Sequence, residues 1–444
     1  MQVTETLSEG LKRGFTIVVP AADIEDKRAQ RLAELGKTLR LPGFRPGKVP
    51  LPVVKSRYGT AVQAEVLEQS VNDATRQVLS DRGLKPAVQP KVDVVSVDEG
   101  KDLEFKVEVE LMPEIPMPDF AGIALTRLKT EPTEEAIGKA LDSIATRARD
   151  LVAVEESRPA AKGEVLTVDF VGKIDGEPFE GGAATDAEIE VGGEGFIPGF
   201  TDQLEGIAPG EARTINVTFP EGYGAEKLAG KAATFDITAK ALKQPVVPPV
   251  DDALATKVGF ENLGALREGV SRQMQREYDQ VSRLKLKRAL LDALAERADF
   301  AAPESMVEAE FDAIWRRVEA DMKAGRLDAD DAGKDEETLK AEYRGIAERR
   351  VKLGLLLSEI GRANNIAVSN DEMVRAMRAE AGRYPGQEQQ VMEFFRKNPQ
   401  AAEGLRAPIF EDKVVDFVVE LAKVEDKPVT AEELAAESEA PAAA

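Results

Sequence analysis

The side chains whose type and spacing first suggest a chemistry are basic residues near the N-terminus. Residues 27–57, called here the basic window, contain nine basic residues and one acidic residue, so the window carries +8 while the whole chain carries −22 and the other 413 residues −30. Concentrated positive charge binds a polyanion such as RNA, and this binding weakens as salt rises. The window therefore predicts a polyanion-binding surface. Its basic residues are Lys27, Arg28, Arg31, Lys37, Arg40, Arg45, Lys48, Lys55 and Arg57.

The centre of the basic window is the segment LPGFRPGKVP, residues 41–50. Its three prolines and two glycines predict a stiff loop that holds Phe44 in solvent beside Arg45 and Lys48. Fixing an aromatic ring and two cations before contact lowers the entropy lost on docking. The residues alone leave a second interpretation open, in which the segment is an ordinary turn and Phe44 folds back onto a helix.

Two absences limit the chemistry of the whole chain. The sequence contains no cysteine and no histidine. Disulfides, thiolate nucleophiles, imidazole bases, Ser-His triads and zinc sites built on Cys or His are therefore excluded. Chemistry by carboxylates, Lys, Ser or Tyr remains, as does catalysis that moves no proton. We expect neither a cofactor nor a metal ion.

Length and hydropathy indicate several domains outside the membrane. At ~150 residues per domain, 444 residues correspond to about three domains. The first twenty residues lack the apolar core of a signal peptide, and no stretch approaches the ~18 apolar residues of a membrane span. Together with the lack of cysteine, this predicts a soluble protein in the reducing cytoplasm.

The first part of the chain has the pattern of an α+β domain. Alternating residues predict strands at 12–19, 88–96 and 102–111, and helical periodicity predicts helices at 23–39 and about 60–81. The proline-rich segment 112–119 is predicted to be extended. A helix of about 133–151 follows, whose single apolar stripe needs a packing partner, for which we expect the C-terminal helical body.

The rest of the chain changes from β to α. Short alternating runs predict a compact β domain over 160–242, and a proline-rich joint follows at 244–252. Helices are predicted at about 263–298, 304–323, 337–361, 370–382, 387–397 and 401–423, with Ser369 and Glu372 as a capping box. The fold class is multidomain α+β, with an all-α C-terminal domain. The predicted divisions are 1–112, a linker strand and helix at 113–157, 158–243, 244–426, and a disordered acidic tail at 427–444.

The helical half is rich in methionine at its apolar positions. Flexible, polarizable methionine suits a promiscuous apolar surface that binds unfolded chains. Ordinary packing between helices explains the same pattern, and no single residue can be assigned to client contact. The residues concerned are Met274, Met306, Met322, Met373, Met377, Met392, Phe311, Phe394 and Phe395.

The segment GFRPGKVP resembles the G-F-R-x-G-K-x-P signature of the trigger factor family of ribosome-bound bacterial chaperones. The resemblance implies docking on the large ribosomal subunit, at an exit-tunnel protein and rRNA, through residues 41–50, with Gly43, Phe44, Arg45 and Lys48 as binding residues. Family members often carry a Lys in place of Pro46, so one cationic contact is absent. The resemblance further implies that the protein binds nascent and unfolded polypeptides and forms a homodimer away from the ribosome. It implies no membrane or DNA partner. It also implies links to protein export and cell division.

The β domain resembles FKBP-type peptidyl-prolyl isomerases through PFEGG, FIPGF and GYG, which occur in that order. The resemblance implies a catalytic proline pocket. Phe200 stands where free-standing members have a Trp floor, and Ala187 where they have an aromatic wall, so a pocket shallower on one side is expected. From spacing alone, the same aromatics could simply fill a small barrel. The implied pocket residues are Phe170, Phe179, Phe196, Ile197, Phe200, Tyr223, Leu228 and Phe235.

Prolyl isomerisation fits the composition, because it rotates a bond and requires no proton transfer. The favoured hypothesis is a ribosome-tethered chaperone that keeps nascent chains unaggregated and isomerises their X–Pro bonds. One alternative is a stand-alone isomerase whose helical half serves for dimerisation. Another is a binding module whose β domain is catalytically inactive.

Overall fold

The computed structural model describes residues 1–39, 44, 49–96, 100–225, 227–328 and 330–436. The strands are β1 Gln2–Glu9, β2 Lys12–Val19, β3 Lys91–Ser96, β4 Leu103–Glu110, β5 Ala124–Lys129, β6 Asp150–Ala153, β7 Val165–Ile174, β8 Glu177–Glu190, β9 Ala212–Thr218, β10 Ala232–Val246 and β11 Lys423–Pro428. The helices are α1 Ala21–Thr38, α2 Leu51–Asp81, α3 Glu134–Arg147, α4 Asp252–Lys257, α5 Leu263–Glu296, α6 Glu304–Lys323, α7 Glu336–Ala363, α8 Asn370–Ala381, α9 Glu388–Lys397, α10 Pro399–Leu421 and α11 Ala431–Ala436.

The described chain forms two compact units. The first contains Met1–Leu128 and Ser282–Lys427, and the second contains Lys129–Val281 and Pro428–Ala436. The fold is mixed α/β, with a β-rich middle region and a helical C-terminal part, in agreement with the predicted class. None of the helices in these described ranges has both the length and the apolar composition needed to cross a bilayer.

The N-terminal domain is an antiparallel sheet covered by two helices. The strand order is β1-β2-β4-β3. Alternate residues of β4 are buried, as predicted, and they share a core with β2 and with the apolar face of α2. Typical members of this core are Phe15, Ile17, Phe105, Val54 and Val62.

Two features of this domain differ from the sequence prediction. Strand β1 was not predicted, because seven of its eight residues are exposed and give no apolar alternation. Helix α2 begins at Leu51 instead of near residue 60. Pro52 lies in the first turn of α2, where a backbone N–H has no partner within the helix, so this proline is compatible with the earlier start.

The helical part of the first unit is built around two apolar clusters. One joins α5, α7 and α10 through Leu290, Leu294, Ile360 and Val414, with Ile123 and Leu125 of the β5 region packed against them. The other joins α6 and α7. Strands β5 and β11 pair beside the first cluster. The predicted bounds of α5 to α10 agree with the structure to within two residues at each end.

The N-terminal domain also caps a helix of the C-terminal part. Pro303, which precedes α6, offers no side-chain cap. The carboxylate of Glu110 on β4 accepts hydrogen bonds from the backbone N–H of Glu304 at 2.5 Å and of Ser305 at 2.9 Å. Lys12 on β2 pairs with the Glu304 side chain. Donors that α6 leaves unpaired at its N-terminus are thus satisfied by a residue almost 200 positions earlier.

The second unit contains the β domain and the linker helix. Strands β6, β10, β7 and β8 form an antiparallel sheet in that order, and β9 pairs with β10. The apolar stripe of α3 packs through Ile137 and Leu141 against Ala255 of α4 and Leu266 of α5. Both of these helices belong to the beginning of the helical half.

The last described residues differ from the disorder expected beyond residue 427. The side chain of Thr430 accepts a hydrogen bond from the N–H of Glu433, whose carboxylate accepts one from the N–H of Thr430. This reciprocal cap starts α11, in which Leu434 is 2% exposed. This short helix is thus capped at its start and buries one leucine. Residues 437–444 of the expected tail lie outside the described residues.

Candidate active site and basic docking surface

The four predicted ribosome-binding residues fall in a part of the chain that is described only at Phe44. That side chain is 39% exposed. Gly43, Arg45 and Lys48 lie outside the described residues. The segment connects the end of α1 to the start of α2, so both helices hold its ends.

The structure divides the basic-window residues on α1 and α2 into two groups. Lys27 pairs with Asp73 at 3.2 Å, Arg31 with Glu65 at 2.6 Å, and the buried Arg28 with Glu25 at 3.2 Å. These three cations are therefore neutralised within the domain.

The second group consists of Lys37, Lys55 and Arg57. All three are exposed, and none has an ion-pair partner among the residues that the structure describes. They lie in the last turn of α1 and the first two turns of α2, next to the 41–50 segment. The positive charge available for a partner is thus concentrated where the loop leaves and rejoins the helices.

In the β domain, the predicted pocket aromatics form one connected cluster. Phe196 stacks on Phe200 with ring centroids 5.2 Å apart and an interplanar angle of 16°. Phe200 meets Phe235 edge to face at 5.1 Å. Phe170 lies 5.8 Å from Phe200 and 5.9 Å from Phe235. Such contacts stabilise a fixed arrangement of rings beyond the burial of their area.

The cluster continues through Phe179, which lies 6.0 Å from Phe235. A ring that the sequence analysis did not select completes the connection: Phe219 lies 5.9 Å from Phe179 and 4.8 Å from Tyr223. Phe219 directly follows β9 and is 2% exposed, so its sequence pattern is that of a core residue. Without it, Tyr223 would have no ring contact with the other pocket aromatics.

The exposed fractions of the side chains divide the aromatic cluster into a buried floor and an exposed rim. Phe200 and Phe235 are 1% and 3% exposed, whereas Phe196 and Tyr223 are 44% and 41% exposed. Ile197, Leu228 and Ala187 are partly buried and pack against the same core. The floor rings therefore belong to the core of the β domain, and the rim rings are exposed to solvent.

Two glycines allow the Phe179 ring to approach the backbone. A Cβ atom added to Gly172 would lie 2.6 Å from the Phe235 ring and 2.8 Å from the Phe179 ring. At Gly182 it would lie 2.6 Å from Phe179. Gly172 follows Phe170 in the segment VDFVG, residues 168–172, and Gly182 ends the PFEGG segment.

The segment that carries the rim residue Phe196 contains a tight turn. Phe200 N–H donates to the Ile197 carbonyl at 2.9 Å, with Pro198 and Gly199 between them and a φ of +79° at Gly199. Pro followed by a left-handed Gly is typical of a type II turn. Among the described residues, no acceptor pairs with the Ile197 N–H, which leaves it available to a ligand carbonyl.

The nearby carboxylates are held ionised. Lys240, helped by the Asp186 N–H, lowers the pKa of Asp169, and Lys173 with Thr214 lowers the pKa of Asp236. Neither group is thus suited to donate a proton near neutral pH. Across the described ranges, no three acidic side chains lie close enough to hold a metal ion. The site offers an apolar aromatic surface and hydrogen-bond donors.

Seven of the nine methionines and phenylalanines named in the helical half lie in one of two structural settings. Met274, Met306 and Phe311 pack against helix-helix clusters. Met373, Met377 and Met392 instead line a cavity of 820 Å³ between α8, α9 and α10, together with Phe395. These three methionines, two on α8 and one on α9, provide an adaptable apolar lining.

The comparisons with known proteins cover nearly the whole chain. The family described as bacterial trigger factor protein matches residues 1–144, and its C-terminal counterpart matches residues 262–420. The FKBP-type peptidyl-prolyl cis-trans isomerase family matches residues 156–240, which contain all eight predicted pocket residues.

Similar proteins include two bacterial trigger factors. The chain is 64% identical to that of Granulibacter bethesdensis, over 99% of both chains, and 66% identical to that of Gluconacetobacter diazotrophicus, over 98% of both. A solved trigger factor chaperone, 20% identical, shares the fold with a TM-score of 0.63 over 95% of this chain and 99% of that one. The chain therefore belongs to the trigger factor family of ribosome-associated chaperones, and its β domain is an FKBP-type peptidyl-prolyl isomerase.

Proposed function

We propose that the chain docks on the large ribosomal subunit through residues 41–50, at an exit-tunnel protein and rRNA, and there binds nascent polypeptides. The observation that carries this proposal is the charge division on α1 and α2: among the described residues, Lys37, Lys55 and Arg57 on either side of the loop have no ion-pair partner. The exposed Phe44, which lies between these cations in the sequence, supplies an apolar contact. Docking on ribosomes places the protein in the cytoplasm, and a homodimer away from the ribosome belongs to the same proposal.

The docking assignment is tested by the double variant Phe44→Ala with Arg45→Ala. We expect it to lose co-sedimentation with ribosomes and to keep normal peptide isomerisation. Phe394→Ala with Arg396→Ala is a matched control, because Phe394 is 53% exposed on α9 and far from the loop in sequence. Normal ribosome binding by the Phe44 and Arg45 variant would contradict the assignment.

For isomerisation, the aromatic cluster is the proposed catalytic site, with Phe170, Phe179, Phe196, Ile197, Phe200, Tyr223, Leu228 and Phe235 as its residues. Rotation about a peptide bond costs ~18–20 kcal/mol because amide resonance is broken. An apolar aromatic surface favours the twisted imide over the more dipolar planar form. The Ile197 N–H or the Tyr223 hydroxyl donates to the substrate carbonyl oxygen. Each ~1.4 kcal/mol of preference for the twisted form raises the rate tenfold.

Substitutions at the exposed rim test this site without emptying the core. We expect Phe196→Ala to lower kcat/KM by about tenfold, which corresponds to a loss of ~1.4 kcal/mol. Val171→Ala, at a 39% exposed position on β7 outside the cluster, serves as the control. A Phe196→Ala variant with wild-type kcat/KM would contradict the proposed site. The alternative of a stand-alone isomerase is not favoured, because trigger factor matches flank the isomerase domain on both sides.

A further inference from the structure

The turn at Ile197–Phe200 is secured differently on its two sides. On the inner side, Phe200 is buried in the aromatic cluster. On the outer side, Pro198 and Gly199 border a cavity of 610 Å³ that is also lined by Gln203, Asn216 and other residues of β7, β9 and β10. The outer side of the turn thus faces open space instead of packed side chains.

One side chain bridges this cavity. The Gln203 amide nitrogen donates to the Gly199 carbonyl at 2.7 Å and to the Asn216 carbonyl at 2.9 Å. Its amide oxygen accepts from the Asn216 N–H at 3.3 Å. Within the described residues, this is the one side chain that hydrogen-bonds to the turn. The Gln203 amide thus donates two hydrogen bonds and accepts one. Its bonds to the N–H and the carbonyl of Asn216 are those that the backbone of a neighbouring strand would make.

The backbone of Gln203 is itself fixed. The guanidinium of Arg213 on β9 donates to the carbonyls of Gln203 at 3.0 Å and of Glu205 at 2.9 Å. Asn216 lies opposite Thr234, next to the pair formed by Ile215 and the floor residue Phe235. The Gln203 bridge therefore connects the turn that carries the Ile197 N–H to the strand pair that carries the cluster floor.

We infer that Gln203 is a positioning residue of the isomerase: its amide holds the Ile197–Phe200 turn so that the Ile197 N–H and the Phe196 ring face the twisted imide together. The inference rests on the proposed placement of the catalytic site in the aromatic cluster. Catalysis requires these groups to be placed before the barrier is crossed, and a displacement of about 1 Å can cost as much as 10²-fold in rate. Phe170, Phe179 and Phe235 lie on strands outside the turn, so binding of the planar substrate to these rings depends less on the turn.

The test uses the full chain and two substitutions of different character. Gln203→Leu removes the amide at similar volume. Gln203→Glu keeps an acceptor for the Asn216 N–H but faces the Gly199 and Asn216 carbonyls with oxygen. We expect both variants to lower kcat about tenfold at 10 °C while KM for an X–Pro peptide changes less than twofold. The control is Asp202→Asn, at the adjacent exposed position, with wild-type kinetics.

The outcomes separate positioning from stability and from the site assignment. A role in stability alone would lower the melting temperature and leave kcat at 10 °C unchanged, and this result would overturn the inference. If one variant is unfolded by circular dichroism, the other decides. Loss of activity in Phe196→Ala with normal kinetics in both Gln203 variants would overturn only the positioning role. Normal activity in Phe196→Ala would overturn the catalytic site, and the inference with it.

Discussion

At the scale of single residues, the isomerase site depends on positions that carry no functional group. The Phe179 ring lies against the backbone at Gly172 and Gly182, and Phe219 connects it to Tyr223. The sequence indicated the rings through the family resemblance, but it did not indicate their supports. A glycine selected for close approach and a phenylalanine at a strand end look, in a single sequence, like any other glycine and core residue.

Gly172→Ala tests this dependence. The added methyl group would lie under 3 Å from two rings, so Phe179 and Phe235 must shift. Overpacking of this kind costs about 1–3 kcal/mol, and we expect the isomerase domain to lose about that much stability together with several-fold activity. Gly222→Ala is the matched control, since nothing lies within 4 Å of its added Cβ although it neighbours Tyr223. Urea denaturation and a protease-coupled assay provide the two measurements; equal behaviour of both variants would refute the close-approach argument.

At the scale of helices and strands, hydrophobic periodicity predicted the amphipathic elements. It missed the exposed or short elements and the contacts between segments that are distant in the sequence. The long helices α5, α6 and α7 bury apolar residues that recur at helical spacing, so their bounds followed from that spacing. Strand β1 is mostly exposed and α4 has only six residues, and neither gives a periodic signal. The bridge made by Gln203 and the cap supplied by Glu110 join segments that only the folded chain brings together.

The start of α8 combines a predicted and an unpredicted element. Ser369 and Glu372 form the capping box expected from their spacing. Lys413 of α10 adds hydrogen bonds to both Glu372 oxygens at 2.9 and 3.0 Å. The hydrogen bond from the Lys413 ammonium lowers the pKa of Glu372 most, and hydrogen bonds from Ser369 lower it further. Together they bring this pKa from 4.5 to about 2. The carboxylate is thus far more acidic in the folded state than in the unfolded chain.

The sign of the pH dependence follows from this lowered pKa. A carboxyl group with a lower pKa in the folded state stabilises the fold fully above its unfolded pKa, and this contribution is lost as the pH falls towards the folded value. We expect the stability difference between wild type and Glu372→Gln to be constant from pH 7 to 5 and to shrink between pH 4.5 and 2. Urea midpoints at pH 7, 5 and 3 measure it, with Asp371→Asn, in the same helical turn, as the control. A difference that grew on acidification would refute the assignment.

At the scale of the whole molecule, the net charge of −22 is the sum of one positive segment and a strongly acidic remainder. The basic window contributes +8, and the acidic remainder repels RNA. The structure narrows this window further, because Lys27, Arg28 and Arg31 are neutralised by carboxylates of their own domain. At most six of the nine cations are then available to the ribosome. The sequence alone could not make this distinction, since the partners Glu65 and Asp73 lie outside the window.

The salt dependence of ribosome binding measures how many cations take part. Each neutralised phosphate contributes about −0.7 to −0.9 to the slope of log K against log salt, so six contacts predict a slope of about −4 to −5, and nine predict about −6 to −8.

Replacing Lys37, Lys55 and Arg57 together, each by Gln, should reduce the magnitude of this slope by about 2 to 3. Lys27→Gln with Arg31→Gln is the control, because both cations are already paired with Asp73 and Glu65. Co-sedimentation between 50 and 300 mM KCl, about the range over which such binding weakens, gives both slopes. The control pair could instead reduce the slope as much per charge as the triple variant. Lys27 and Arg31 would then have to leave their carboxylates and bind RNA. That result would extend the binding surface from the ends of α1 and α2 to the whole basic window.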